Sequence, residues 1–264
     1  MPPALPARDR ALMETLLVQA ERLLVPYHRA EVRGLEGVPA GPVLYVGNHS
    51  GATYSGDTWI FAARLWRAHG LDALPYGLAH DLVPHLPIIG PALTRCGVVP
   101  ARPEAAAELL AAGGSVMVYP GGDREAMRRS ALRDVVDFGG RRGFIRTALA
   151  AGVPIVPIAA VGAHDTLHIF HDLPGLARLL GMDRRLRMKV WPLSFSIPWG
   201  LTLGPIPPYL PLPARIRIDV LPPIRFERAG AAAAADESYV VACAATVEDV
   251  IRAAVGRLAA EMGR

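Results

Sequence analysis

Three short apolar runs, each separated from the next by a stretch of helical periodicity, constrain this chain more than any other feature. Val43–Val46, Ser115–Tyr119 and Val153–Val161 are rich in β-branched or aromatic residues, which suit a pleated and buried surface. Between them, residues 57–69, 103–112 and 144–151 repeat apolar side chains at helical spacing. The last two of these end at Gly113-Gly114 and at Gly152. Ile216–Val220 supplies a last strand. The recurring β-α-β order predicts an α/β fold: a single domain with a central mixed, largely parallel sheet flanked by helices. The 264 residues are ample for one such core.

Several local expectations follow. Glu31–Leu35 and Val43–Val46, joined around Pro39 and Pro42, read as neighbouring strands. Residues 72–92 read as a Pro-rich irregular stretch. Pro154 and Pro157 predict that the Val153–Val161 strand is short or irregular. Leu12, Leu16, Leu17, Leu23 and Leu24 predict an amphipathic helix over 9–25, ended by Pro26, whose apolar face packs on the domain or, less commonly, lies on a bilayer. Residues 1–30 are thus an N-terminal helical segment and residues 31–264 the domain proper. Ala229–Ala235 is a low-complexity connection or the lead-in to a helix. Ser238–Met262 is a C-terminal amphipathic helix whose apolar positions include Val241, Ala245, Val250, Ala254 and Leu258.

In open sheets, the loops beyond the strand carboxyl ends carry the site. His49 stands just past one such end, in a small polar turn containing Gly47, Gly51 and Gly56, with Asp57 eight residues on. An imidazole titrates near neutrality and suits a general base, and a carboxylate can orient it. Tyr119–Arg124 lies past a second strand end. A competing constellation, His164, His168 and His171, has spacing that would ligate a metal on a helix and would make the chain a metal-dependent hydrolase.

Composition narrows the partners. Formal charge is +4, and Lys189 is the only lysine, so 27 of the 28 basic residues are arginine. Arginine suits phosphate and carboxylate, and the modest excess favours anionic lipid surfaces or phosphorylated substrates. No basic aromatic-rich sheet suggests nucleic acid. Cys96 and Cys243 are far apart with no CxxC spacing, and the N-terminus lacks a signal peptide's order, which together predict a cytoplasmic protein. Residues 190–214 carry no charge but seven prolines, so they cannot form a spanning helix. With Trp191, Trp199 and Tyr209 they read as an irregular apolar segment in contact with lipid or an acyl chain.

Four blocks in order, GNHSGATYSGD, GVVPAR, VYPGGDREA and VPIVPIAAVGAHD, resemble those of the glycerolipid (lysophospholipid) acyltransferase superfamily, especially its monoacylglycerol and diacylglycerol acyltransferase-like branch. The similarity covers roughly residues 31–225. It implies His49 as catalytic base and Asp57 as its orienting acid. The family's usual His-x4-Asp spacing would place the acid at Tyr54. The family's FPEG block corresponds to Tyr119, Pro120, Gly121 and Gly122, with glycine replacing the glutamate. Acceptor binding would then fall on backbone amides, Arg124 and Glu125, with Asn48, Ser50 and Gly51 in the first block and Arg102 in the second. The implied reaction moves an acyl group from acyl-CoA or acyl carrier protein to a lysophospholipid or acylglycerol hydroxyl, with no cofactor and no metal. The enzyme would sit peripherally on the inner face of the membrane. A non-catalytic lipid-binding protein of the same fold is the other alternative.

Overall fold

The computed structural model of the protein describes residues 4–81 and 83–264. In chain order its strands are β1 (Glu31–Arg33), β2 (Leu44–Gly47), β3 (Tyr76–Ala79), β4 (Val98–Pro100), β5 (Val116–Val118), β6 (Ile155–Val161), β7 (His168–His171), β8 (Leu193–Ser196), β9 (Gly200–Leu203) and β10 (Arg217–Val220). The helices are α1 (Arg10–Gln19), α2 (Val25–Tyr27), α3 (Gly56–His69), α4 (Ile89–Arg95), α5 (Pro103–Ala111), α6 (Gly122–Ala126), α7 (Gly143–Ala151), α8 (Pro174–Leu179), α9 (Met182–Arg185), α10 (Ala231–Ala235) and α11 (Glu237–Glu261).

Seven strands form one sheet in the order β1-β10-β6-β2-β5-β3-β4. From β6 to β4 all neighbours are parallel, and β10 with β1 runs against them. The sheet is mixed and largely parallel, as the alternation of elements predicts. Both faces are covered, so the central strands are apolar without a break. Successive residues of β2 still go to opposite layers. Tyr45 packs with Leu17 of α1 and with Ile60, Phe61 and Leu65 of α3. Leu44 and Val46 join Leu109 of α5, Ile145 of α7 and Val247 and Ile251 of α11.

Four expectations need correction. β1 does not neighbour β2; it pairs with β10 at the sheet edge. Its Glu31 and Arg33 make ion pairs with Arg217 and Glu261, and a strand with two charged positions suits an edge, not a site buried on both faces. The irregular stretch 72–92 contains β3, a full member of the sheet. β6 is neither short nor irregular: its seven residues are all buried. Pro157 lies opposite the exit of β10, where its carbonyl accepts from Leu221 N–H at 2.9 Å, so the absent donor costs a single ladder bond. Residues 190–214 are irregular only in part: 204–214 form no element beyond a single bridge at Leu210, but 193–203 are ordered. Residues 193–203 form the β8–β9 hairpin, which joins β7 in a separate three-stranded antiparallel sheet.

The terminal helices pack on the domain. α1 continues through a π turn, Ala20–Leu24, into α2, so Pro26 lies within the last turn. The wider turn before it admits the ring and the missing N–H. Met13, Leu17, Ala20 and Val25 are buried, whereas Leu23 is exposed. On α11 the register starts from Asp236, whose side chain accepts from Tyr239 N–H. Its buried stripe is Val240, Cys243, Val247, Ile251, Val255 and Leu258, so Val241, Ala245 and Val250 face outward, contrary to the expectation. Among the described residues no helix is long and apolar enough to cross a membrane.

This register is open to test. Ile251→Ala should cost about 2–5 kcal/mol in urea unfolding. Val250→Ala should stay within about 0.5 kcal/mol of wild type. Equal costs would contradict the assignment of faces.

Candidate active site

Three neighbouring parallel strands, β6, β2 and β5, end along one edge, and the residues that follow them meet there. Asn48 leaves β2 and spends both ends of its amide on β6. Its Nδ2 donates to Ala160 O and its Oδ1 accepts from Ala160 N–H, each at 2.8 Å. That clamp fixes the direction in which His49 departs. Both ends of the Asn48 amide, expected at the substrate, are thereby bonded within the protein.

The His49 backbone N–H donates to Glu125 Oε2 at 2.9 Å. Its ring stacks on Tyr119 with centroids 4.6 Å apart and planes 23° apart. Tyr119 is held in turn by a 2.6 Å bond between its hydroxyl and Thr58 Oγ1. Gly47 makes room for this ring, because a Cβ there would stand 2.9 Å from Tyr119 Cε1. His49 itself is half-buried. Its Nδ1 is enclosed without a hydrogen-bond partner. Burial, with added repulsion from Arg128 and His164, pushes the imidazole down to about 4. The ring is therefore neutral at physiological pH and has a lone pair to offer.

Asp57 is placed differently from the expectation. It lies in the first turn of α3 and is 3% exposed. One carboxylate oxygen accepts from Ser50 Oγ at 3.1 Å and the other from Thr58 N–H at 2.8 Å. No hydrogen bond joins it to His49. The loop from Ser50 to Ser55 turns so that Ser50, not His49, reaches the carboxylate. Burial raises the Asp57 carboxyl to about 6, against the pull of the Thr58 amide and the Ser50 hydroxyl. Tyr54, at the resemblance's acid position, donates instead to His28 Nε2 at 2.9 Å. Gly51 adopts φ +77° and its carbonyl accepts from Tyr209 Oη at 2.9 Å.

The second cluster follows β5. The carbonyl of buried Pro120 accepts from an Arg141 guanidinium nitrogen at 2.6 Å. Gly121 can only be glycine here: a Cβ would stand 2.1 Å from Glu125 Oε2 and 2.4 Å from Glu125 Cβ. Glu125 thus brings a carboxylate into the space beside position 121. It is 1% exposed, accepts from the Asp137 N–H at 3.3 Å as well as from His49, and pairs with Arg128 at 2.8 Å. Glu125, expected in the acceptor-binding block, is thus buried and bonded within the protein. Arg128 was missed by sequence reading; the i, i+3 spacing from Glu125 was its one signal. The Gly122 backbone (φ +54°) passes under Arg141, whose guanidinium would lie 2.5 Å from a Cβ. Arg124 is exposed and makes no ion pair among the described residues. Arg102, exposed at the start of α5, lies 4.0 Å from Asp81, which also binds Arg187 at 2.7 Å.

The histidine constellation does not assemble. Ala163–Thr166 is a single 3₁₀ turn and His168–His171 is strand β7, so the helix that the spacing requires is absent. Buried His164 donates from Nε2 to Arg128 O at 2.7 Å, whereas His168 and His171 are exposed. Among the described residues no three His, Cys, Asp or Glu side chains are placed to hold a metal ion.

A neutral histidine thus stands just beyond a central strand and against the Tyr119–Gly122 turn, with the exposed Arg124 following that turn. Comparison with known proteins names the class: the Acyltransferase family model matches residues 29–161, and the chain belongs to that family. An uncharacterized protein of Mycobacterium tuberculosis is 32% identical over 199 residues, which cover 75% of this chain and 52% of that protein. The human "DGAT1/2-independent enzyme synthesizing storage lipids" is 28% identical over 188 residues, covering 70% of this chain and 56% of that enzyme. The chain therefore spans about half the length of these curated relatives. The fold resembles that of the 1-acyl-sn-glycerophosphate (LPA) acyltransferase PlsC from Thermotoga maritima, with a TM-score of 0.59 at 17% identity over 96% of this chain and 84% of that one.

A carboxyl group raised by burial binds its proton more tightly in the folded state. Asp57 therefore withdraws stability as pH rises from the ordinary aspartate value toward about 6. Asp57→Asn should be more stable than wild type at pH 7, by about 1–3 kcal/mol, with the gap closing near pH 4. Urea unfolding at both pH values checks this, and equal stability at pH 7 would contradict it.

Proposed function

We propose that the protein is an O-acyltransferase that moves a fatty acyl group from a thioester donor, acyl-CoA or acyl carrier protein, to a lipid hydroxyl at a membrane surface. The observation that carries this reading is the neutral, half-buried His49, fixed at its backbone by Glu125 and at its ring by Tyr119, beside the Tyr119–Gly122 turn. In the reaction, Nε2 takes the proton of the acceptor hydroxyl as its oxygen attacks the thioester carbonyl. The tetrahedral intermediate then expels the thiolate, which recovers the proton from the imidazolium. Amides of the Ser50-Gly51 loop stabilise the oxyanion. No enzyme nucleophile is required, in keeping with the lack of a Gly-x-Ser-x-Gly elbow.

Two features bear on the acceptor. Arg124 is exposed and unpaired among the described residues, which favours a phosphate-bearing acceptor of the 1-acylglycerol-3-phosphate type. Gly121 removes a carboxylate from the turn surface, which also admits a neutral acylglycerol. Asp57 acts through Ser50 by holding the loop. Glu125 acts through the His49 backbone.

Thiol release from acyl-CoAs, with lysophosphatidic acid, monoacylglycerol and diacylglycerol as acceptors, tests the reading. Wild type should show acceptor-dependent release, and His49→Ala should lose about 10²-fold or more. Glu125→Gln should lower kcat with KM little changed. Arg124→Ala should raise KM for lysophosphatidic acid alone. Acceptor-dependent release unaffected by His49→Ala would sink the proposed base.

A further inference from the structure

The β8–β9 hairpin of the three-stranded sheet is built inside out, whereas β7 turns Ile169 inward opposite Ser194. The register of the sheet sets Phe195 opposite Leu201 and His168, and Leu193 opposite Leu203 and His171, all on one face. Phe195, Leu201 and Leu203 on that face are 45%, 66% and 58% exposed. The other face carries Ser194, Ser196 and Thr202. Ser194 and Ser196 are buried, and the Ser194 and Thr202 hydroxyls bond one another at 3.0 Å. A sheet with one solvated face ordinarily shows the reverse, with apolar residues inward and hydroxyls outward. At the hairpin end, exposed Ile197, Trp199 and Leu210 extend the apolar surface, with Ile197 bridged to Leu210.

Charge at the other end of this sheet has one dominant sign. The connection from β7 to β8 holds α8 and α9. From Arg178 to Lys189 it holds five exposed cations (Arg178, Arg184, Arg185, Arg187 and Lys189), of which Arg187 pairs with Asp81, against the half-buried acid Asp183. Leu179 within it is 82% exposed. An apolar face with a cationic border suits the headgroup and acyl boundary of an anionic bilayer. A second copy of the chain would bring like-charged borders together, and an acidic protein would meet the cations while leaving the apolar rows uncovered. The same connection is tied to the site: Lys189 N–H donates to Asp123 Oδ2 at 2.5 Å, next to Arg124.

We propose that the outward face of β7–β9, together with the α8–α9 connection, docks the protein onto an anionic lipid bilayer. The inference gives the membrane of the proposed function a specific surface, and it rests on that reading only for its purpose. Co-sedimentation with vesicles of phosphatidylcholine plus phosphatidylglycerol, compared with phosphatidylcholine alone, tests it without turnover. Wild type should prefer the anionic vesicles, and raised salt should weaken binding. Leu201→Asp with Leu203→Asp should lose about tenfold or more in partitioning. Arg184→Glu with Arg185→Glu should lose the preference for anionic lipid. Brominated lipid should quench wild-type fluorescence, and Trp199→Phe should remove most of that quenching. Because the substituted side chains are exposed, circular dichroism should show folded variants. Vesicle binding by the leucine variant equal to wild type overturns the proposal. So does light scattering that shows a dimer broken by that variant while vesicle binding persists. His49→Ala should bind vesicles as wild type does, so a failure of the catalytic reading is told apart from a failure of this one.

Discussion

The Glu125 carboxylate is the interaction on which the site depends. It takes donors from three directions: the His49 backbone, the Asp137 backbone and the Arg128 guanidinium. Each comes from a different stretch of chain, so one buried group ties the loop after β2 to the turn after β5 and to the segment beyond it. A buried ion pair is expensive to desolvate, and losing one partner typically costs about 3–5 kcal/mol. Such a pair is weak evidence for stability as such. What it does is hold three donors from separate stretches of chain on one carboxylate. Gly121 is the counterpart of this device, since any side chain there would collide with Glu125.

Around that anchor the sheet supplies direction. β2 lies between β6 and β5, all three parallel, so their carboxyl ends open onto one edge. The Asn48 clamp on Ala160 and the Tyr119–Thr58 bond then fix His49 from both sides. Burial keeps the imidazole neutral and the Asp57 carboxyl raised, which is the kind of perturbation that gathers at functional sites. The fold carries the cost of enclosing these groups because their positions are what the site requires.

The central strands and most of the helices were legible because their signals are local. Val43–Val46 and Val153–Val161 are apolar runs with clear stops, and the intervening helices show their period. What escaped was decided by distant chain. β1 joins β10, nearly two hundred residues later, and nothing in Glu31–Leu35 announces that partner. Pro157 is tolerated in β6 only because of where β10 ends. The β8–β9 hairpin was hidden inside a segment read as irregular because seven prolines dominate residues 190–214, although Leu193–Ser196 and Leu201–Leu203 alternate with a strand's period of two. In the site, His49 and the glycine turn were visible from their positions after strands. Glu125 and Arg128 were not legible as anchors, because burial turns an ordinary charged pair into a structural one and burial is a tertiary property.

The central claim is that His49 is held through its backbone and its stacking partner, and that Asp57 serves Ser50. Titrating the His49 imidazole by nitrogen-resolved NMR, in wild type and in Asp57→Asn, tests this most directly. The account predicts a pKa near 4 in both proteins, with a change of less than about half a unit. A fall of one unit or more on removing the Asp57 charge would show a direct His49–Asp57 pair and contradict it.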